Sequence, residues 1–162
     1  MATTKDIKFV ESVLRNYRAM QAEKDNLLSA IQLVELEKDE SIRAEQLQAS
    51  TINDMPGIPT DGLKLPQLPR AMSEEYLILS RQQQKMNSRL RYISAVLQAT
   101  DLSLESLDSY DRGIVQLFYI DRVGLKQIAD TMSLNPNIVW KKKRGLVVYM
   151  SKSLAMFNIS SN

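Results

Sequence analysis

The chain of 162 residues contains neither cysteine nor histidine. This double absence excludes a disulfide framework, and it excludes zinc sites whose ligands are Cys or His. It also excludes the catalytic dyads and triads that depend on a Cys nucleophile or a His base. The sequence therefore predicts no metal site.

Long apolar runs are absent as well. No stretch of the sequence approaches the roughly 20 consecutive apolar residues that a membrane-spanning helix needs. Residues 1–12 lack the apolar segment of a signal peptide. We therefore expect a cytoplasmic protein that has no membrane partner.

The sequence also offers little that suits catalysis. No Gly-rich phosphate-binding loop follows a strand, because no strand is evident. The carboxylates that stand close together, Glu74 with Glu75 and Asp108 with Asp111, lie where they would compensate the charge of helix N-termini. We therefore predict no catalytic residues, no bound cofactor and no enzymatic activity.

Glycine and proline each occur only five times and phenylalanine three times. Residues of high helix propensity, such as Leu, Ala, Gln, Glu and Lys, make up much of the chain. Four of the five prolines fall within residues 50–72, together with two of the five glycines. The composition therefore predicts an all-α fold with a Pro/Gly-rich linker at 50–72.

Two long helices are predicted on either side of this linker. The first spans about Thr4–Ala49, with Thr4 as its cap, and the second spans about Ser73–Ala99. Both space their apolar residues three and four apart, as helices that pack along one seam do. The pattern predicts a long antiparallel hairpin over residues 1–100. Because a lone hairpin has a thin core, we expect this region to form a homodimer.

Residues 101–162 are predicted to form a helix-turn-helix DNA-binding domain. A hinge or short helix at 100–108 is followed by helices at about Ser109–Asp121 and Leu125–Met132. The last helix starts after Asn135 and runs to about Phe157. In the helix before the turn, the apolar residues at i, i+3 and i+4 share one face; they are Leu125, Ile128 and Ala129.

The turn between the last two helices has a clear chemical signature. Ser133, Leu134 and Asn135 form a three-residue turn in which Leu134 is the buried apolar residue. Asn135 is a favoured N-cap, and Pro136 stands at the first helical position, where its missing N–H costs nothing. The inward stripe of the last helix is predicted to comprise Val139, Leu146 and Met150.

The outward face of this last helix carries the predicted function. From Pro136 to Lys152 the chain has five basic residues and no acidic ones, which favours a negatively charged partner. Asn can read adenine, and Arg and Lys can read guanine or hold phosphate. Lys143 is expected to flank the groove, whereas Lys142 is expected on the semi-buried side with its amine in solvent. The predicted DNA-binding residues are Asn135, Pro136, Asn137, Trp140, Lys141, Lys143 and Arg144.

Two segments, Leu107–Asp121 and Gly124–Ala129, together with the turn resemble region 4 of sigma-70-type factors. The closest likeness is to the sigma-like regulators of phages and prophages of Gram-positive bacteria, the ArpU and RinA type, whose linker also has a turn like Met55-Pro56-Gly57. The resemblance implies that Pro136, Asn137, Trp140, Lys141 and Arg144 face bases and phosphates. The chain departs from the pattern at Ser133, where Gly is common, and at Gly145-Leu146, where Arg-Ala is usual.

These observations predict a sequence-specific transcriptional regulator, encoded by a phage or prophage, that reads the major groove of double-stranded DNA. We expect it in the cytoplasm of a bacterial host, associated with the nucleoid, and RNA polymerase is a second expected partner. Two other functions stay open. One is a small terminase-like subunit for phage DNA packaging. The other is a sigma-like interaction module that acts on RNA polymerase without binding DNA.

Overall fold

The computed structural model describes residues 2–53 and 73–158, and it describes side chains for 2–48 and 73–158. Within these ranges every regular element is helical and no strand occurs. The predicted all-α class is therefore confirmed. Residues 54–72, which make up most of the predicted linker, lie outside the described residues, as does the Met55-Pro56-Gly57 turn.

The described residues form six α-helices, with a π-helical turn at Gln116–Ile120 and a 3₁₀ turn at Ala155–Phe157. The helices are α1 Thr4–Arg15, α2 Tyr17–Asn53, α3 Glu74–Glu105, α4 Ser109–Val115, α5 Leu125–Met132 and α6 Pro136–Leu154. Within these same ranges no helix combines the length and the apolar character that crossing a membrane requires.

The first helix starts at Thr4, as predicted, but it ends far sooner. Its N-cap is Thr3, not Thr4: the Asp6 N–H donates to Thr3 Oγ1 at 3.2 Å, and the Asp6 carboxylate accepts the Thr3 N–H at 3.0 Å. This reciprocal pair is a capping box. The predicted single helix over Thr4–Ala49 is wrong, because the helix is interrupted at Asn16.

Side-chain contacts with distant residues follow this interruption. The Tyr17 hydroxyl donates to a carboxylate oxygen of Asp101, and the Arg18 guanidinium pairs with the carboxylate of Asp121. These partners lie 84 and 103 residues away in the sequence. Helical periodicity does not report such contacts, so the sequence could not place the break.

The second long helix also differs from its prediction. It continues to Glu105, so the hinge or short helix expected at 100–108 is replaced by a continuous helix and a turn at 106–108. Thr100 is buried, and its hydroxyl donates to the Val96 carbonyl at 2.7 Å. Farther along, the hydroxyls of Ser103 and Ser153 lie 2.9 Å apart. The hydroxyls of Thr100 and Ser103 therefore both have hydrogen-bond partners within a part of α3 that packs on its neighbours.

The chain divides into two compact units: unit 1 comprises residues 1–25 and 91–162, and unit 2 comprises residues 26–90. In unit 2, α2 and α3 contact each other through Lys38, whose ammonium donates to Gln83 Oε1 at 2.8 Å. Among its described residues only Val34 and Leu79 are buried apolar side chains. The functional division at residue 100 stays a prediction, and the units show that residues 1–25 and 91–100 belong with the C-terminal segment.

The core of unit 1 has two parts that together position α6. The first part gathers apolar residues from α1, α3–α4, the π-turn and the second half of α6: Val10, Leu14, Leu107, Val115, Tyr119, Val147, Met150 and Leu154. The second part joins α4 and α5 to the first half of α6 through Ile114, Ile128, Ala129 and Val139. Both halves of α6 therefore have one face buried, and the other face is left to solvent.

Candidate nucleic-acid interface

The connection between α5 and α6 is a tight turn of three residues, as predicted. Ser133 adopts the left-handed conformation, with φ 55° and ψ 43°. The Leu134 N–H donates to the Ala129 carbonyl at 2.8 Å, which is the 6→1 hydrogen bond of a Schellman motif. Leu134 is half-buried against the second part of the core. The turn therefore ends α5 sharply and sets the start of α6.

The start of α6 is determined by two adjacent residues. The Asn135 side-chain oxygen accepts the Asn137 N–H at 2.9 Å, and Pro136 occupies the first turn of the helix. This is the N-cap arrangement predicted from the sequence. It holds the first turn of α6 in a defined position while Asn135 and Pro136 remain exposed.

The inward face of α6 is wider than the sequence indicated. Val139 and Met150 are fully buried, whereas Leu146 is half-buried. Val147 is also fully buried, although it was not part of the predicted stripe. It contributes because α1 covers this part of α6, and α1 lies more than 100 residues away in the chain.

The outward face of α6 presents the predicted polar and aromatic side chains to solvent. Asn137, Lys141 and Arg144 are exposed, and Trp140 is 43% exposed. The Arg144 guanidinium lies 5.4 Å from the centroid of the Trp140 ring, one helical turn away. This cation–π contact restricts the arginine without removing it from water.

The other two lysines of the basic run are placed differently from the prediction. Lys142 was expected on the semi-buried side, but it is exposed and pairs with Asp111 at 3.3 Å. Lys143 is the half-buried one: its ammonium lies 4.4 Å from the centroid of the Phe118 ring. Burial lowers the pKa of Lys143, and the nearby charges of Arg15 and Arg144 lower it further, against the opposing effect of Glu11. The predicted set therefore divides into six exposed residues and one, Lys143, that faces aromatic rings.

Sequence reasoning missed a second group of cations in unit 1. Lys8, Arg15 and Arg122 come together around an open cleft beside α1. More than 100 residues separate the first two from the third. No spacing in the linear sequence reports this proximity, because it arises from the packing of α1 against the π-turn.

No family model, no curated protein and no solved structure matches this chain. The resemblance to region 4 of sigma-70-type factors rests on Leu107–Asp121, Gly124–Ala129 and the turn, and it stays a prediction. The functional argument therefore depends on the geometry and chemistry of α6 and its surroundings.

Proposed function

We propose that the protein is a sequence-specific DNA-binding transcriptional regulator that lays α6 into the major groove. In this proposal α5, the turn and α6 form a helix-turn-helix, and the long segments of α2 and α3 form a helical hairpin. The protein would act at the nucleoid, in the cytoplasm of a bacterial cell that carries a phage or prophage. The single observation that supports it is the face of α6 formed by Asn137, Trp140, Lys141 and Arg144, which is exposed while the opposite face is buried.

The dimensions and chemistry of this face suit a groove. A helix of 19 residues is about 28 Å long at 1.5 Å per residue, and the major groove of about 12 Å accepts one helix. Asn137 can pair with adenine through two hydrogen bonds, and Arg144 can do the same with guanine. Because the Trp140 ring already restricts the Arg144 side chain, Arg144 loses less rotamer entropy when it binds.

Charge supports the same partner. Lys142 is paired with Asp111 and Lys143 lies against Phe118, so Lys141 and Arg144 are the cations of the run that α6 offers to a ligand. Each phosphate that such a residue neutralises releases counterions, which makes binding depend steeply on salt. We therefore expect saturable binding of duplex DNA that weakens as the salt concentration rises.

The direct test combines selection of genomic duplexes by the purified protein with fluorescence anisotropy at several salt concentrations. We expect Lys141→Glu/Arg144→Glu to weaken binding of the selected duplex by about 100-fold or more, since each lost contact is worth roughly 1–3 kcal/mol. The matched control is Arg81→Glu/Lys85→Glu, which makes the same change of charge at two exposed positions of α3. The proposal fails if the wild type binds no duplex at any salt, or if both double variants weaken binding equally.

We further propose that the functional unit is a homodimer formed through unit 2. Its described residues bury only Val34 and Leu79, while Leu33 and Leu36 of α2 are 61% and 60% exposed. A second copy would cover these leucines. Sedimentation should show a dimer that dissociates in Leu33→Glu/Leu36→Glu, and a ring of many subunits would instead favour a DNA-packaging protein.

A further inference from the structure

An open cleft of about 900 Å³ lies in unit 1, between α1 and the segment that joins the π-turn to α5. We call it the α1 cleft. The residues that matter for its chemistry are Lys8, Glu11, Ser12, Arg15, Arg122 and Gly124. None of the DNA-binding residues predicted on α6 lines it.

Positive charge predominates in the α1 cleft. Lys8, Arg15 and Arg122 are all exposed, and Glu11 is the single carboxylate among the lining residues. The Glu11 carboxylate is half-buried and accepts the Tyr119 hydroxyl at 3.0 Å. The three cations thus remain available to solvent, and the one anion is directed toward the core.

Most side-chain N–H groups of these three cations donate no hydrogen bond within the described part of the chain. The ammonium group of Lys8 makes no hydrogen bond or ion pair with any of the described residues. Arg15 lies over the Tyr119 ring at 5.9 Å, a contact that leaves its N–H groups free to donate. Arg122 donates one Nη2 hydrogen bond to the Arg15 carbonyl at 3.2 Å, and a guanidinium has five N–H donors in all.

Arg122 is held in a conformation that an arginine seldom adopts. Its φ is 56°, in the left-handed region that costs a non-glycine residue on the order of 1 kcal/mol. Backbone hydrogen bonds of the two neighbouring residues maintain this conformation. The Asp121 N–H donates to the Gln116 carbonyl and the Val123 N–H donates to the Leu117 carbonyl, both at 2.8 Å. The backbone therefore turns the guanidinium back toward α1, in the left-handed conformation that often ends a helical segment.

The α1 cleft shares one lining residue, Phe118, with the packing of α6. Phe118 lines the cleft, and the same ring lies 4.4 Å from the ammonium of Lys143 in α6. Lys143 directly precedes Arg144, which is exposed on the outward face. Phe118 therefore lies between the cleft and Lys143 of α6, within the same unit.

We propose that the α1 cleft binds phosphate groups of the DNA backbone beside the groove that α6 reads. This proposal rests on the proposed function and deepens it, since it makes α1 part of the DNA-binding surface. Arg15 and Arg122 can each hold a phosphate with two parallel hydrogen bonds, and Lys8 adds a point charge. The open shape and exposed cations suit a polymer backbone, because sites for small molecules bury most of their ligand.

The first experiment measures the salt dependence of duplex binding. Neutralising Lys8→Gln/Arg15→Gln should reduce the slope of log K against log salt by about 1 to 2. It should weaken binding to target and scrambled duplexes by the same factor, because backbone contacts carry no sequence information. Lys141→Gln/Arg144→Gln should instead reduce the ratio of the affinity for the target duplex to the affinity for the scrambled duplex. The matched control on α1 is Lys5→Gln, which is exposed and outside the cleft.

A second experiment separates the sources of phosphate. Inorganic phosphate is titrated into the ¹⁵N-labelled full chain, and the amide signals of Ser12 and Gly124 are followed by NMR. We expect saturable shifts in the wild type that are lost in Lys8→Gln/Arg15→Gln, with helicity by circular dichroism as the check on folding. Arg122→Gln serves as an independent variant in this titration and in the salt-dependence experiment.

The outcomes distinguish this proposal from the function on which it rests. If the wild type binds duplex but the slope is unchanged in Lys8→Gln/Arg15→Gln and in Arg122→Gln, the cleft proposal is overturned and the proposed function stands. If the wild type binds no duplex, both are overturned. Phosphate-dependent shifts would then assign the cleft to a free phosphate compound.

Discussion

Ser133 illustrates how one residue determines the geometry of the candidate interface. Its left-handed backbone allows the Leu134 N–H to reach the Ala129 carbonyl and ends α5 after eight residues. Glycine is the usual residue in this conformation because it has no Cβ to clash with the backbone. The chain therefore accepts local strain at Ser133 in order to place Asn135 and Pro136 at the start of α6.

Replacing this residue should relieve the strain. We expect Ser133→Gly to raise the free energy of unfolding by about 0.5–1 kcal/mol, as measured by urea denaturation. Ser133→Val should lower it, because a β-branched residue disfavours positive φ. A Ser133→Gly variant less stable than the wild type would show that the serine makes a contribution that outweighs its backbone strain.

The lysines of α6 show a limit of residue-by-residue reasoning. Position along the helix suggested that Lys142 is semi-buried and Lys143 peripheral, and the structure reverses the two. Asp111 provides an ion-pair partner for Lys142, and Phe118 provides an aromatic surface for Lys143. Both partners come from other elements, so neither could be inferred from α6 alone.

At the scale of elements, the Tyr17 hydroxyl forms one of the side-chain hydrogen bonds between α2 and α3. Burial raises the pKa of Tyr17 to about 12, and its hydrogen bond to Asp101 acts in the same direction. The ordinary pKa of tyrosine is about 10. Between these values the folded protein holds more protons than the unfolded chain, so this group's contribution to stability is complete below about pH 10 and is lost as the pH rises toward 12.

This reasoning predicts a specific pH dependence. The free energy of unfolding, measured with urea between pH 8 and 12, should decline above pH 10 less steeply in Tyr17→Phe than in the wild type. Tyr149→Phe is the control, since this tyrosine is 46% exposed. Identical slopes for the wild type and Tyr17→Phe would mean that the Tyr17–Asp101 hydrogen bond does not contribute to stability.

At the scale of the whole molecule, α1 completes the core on which α6 rests. Val10 and Leu14 are fully buried, in the same cluster as Val147, Met150 and Leu154 of α6. A segment of residues 101–162 on its own would leave that face of α6 uncovered. The N-terminal helix is therefore part of the structure that presents the candidate interface.

Truncating one buried leucine tests this dependence. Leu14→Ala should lower the free energy of unfolding by about 2–5 kcal/mol, the range found for buried leucines. The matched control, Leu102→Ala, removes a leucine that is 59% exposed and should change stability by less than about 0.5 kcal/mol. Equal effects in denaturation experiments would contradict the role of α1 as a core element.

The sequence alone determined the helical class, the range of α5, and the start of α6 at Pro136 with Asn135 as its cap. Each of these depends on groups within a few residues of one another, so a local pattern is sufficient. It also identified Asn137, Trp140, Lys141 and Arg144 as outward residues of α6, since a face defined by helical periodicity needs only one buried stripe for its orientation.

Only the tertiary structure decided the break at Asn16, the continuation of α3 to Glu105, and the gathering of Lys8, Arg15 and Arg122. The gathering of the three cations depends on contacts between residues far apart in the chain, and such contacts accompany the other two features. Such contacts form when helices pack, and their energies can override the local preference that a sequence pattern expresses.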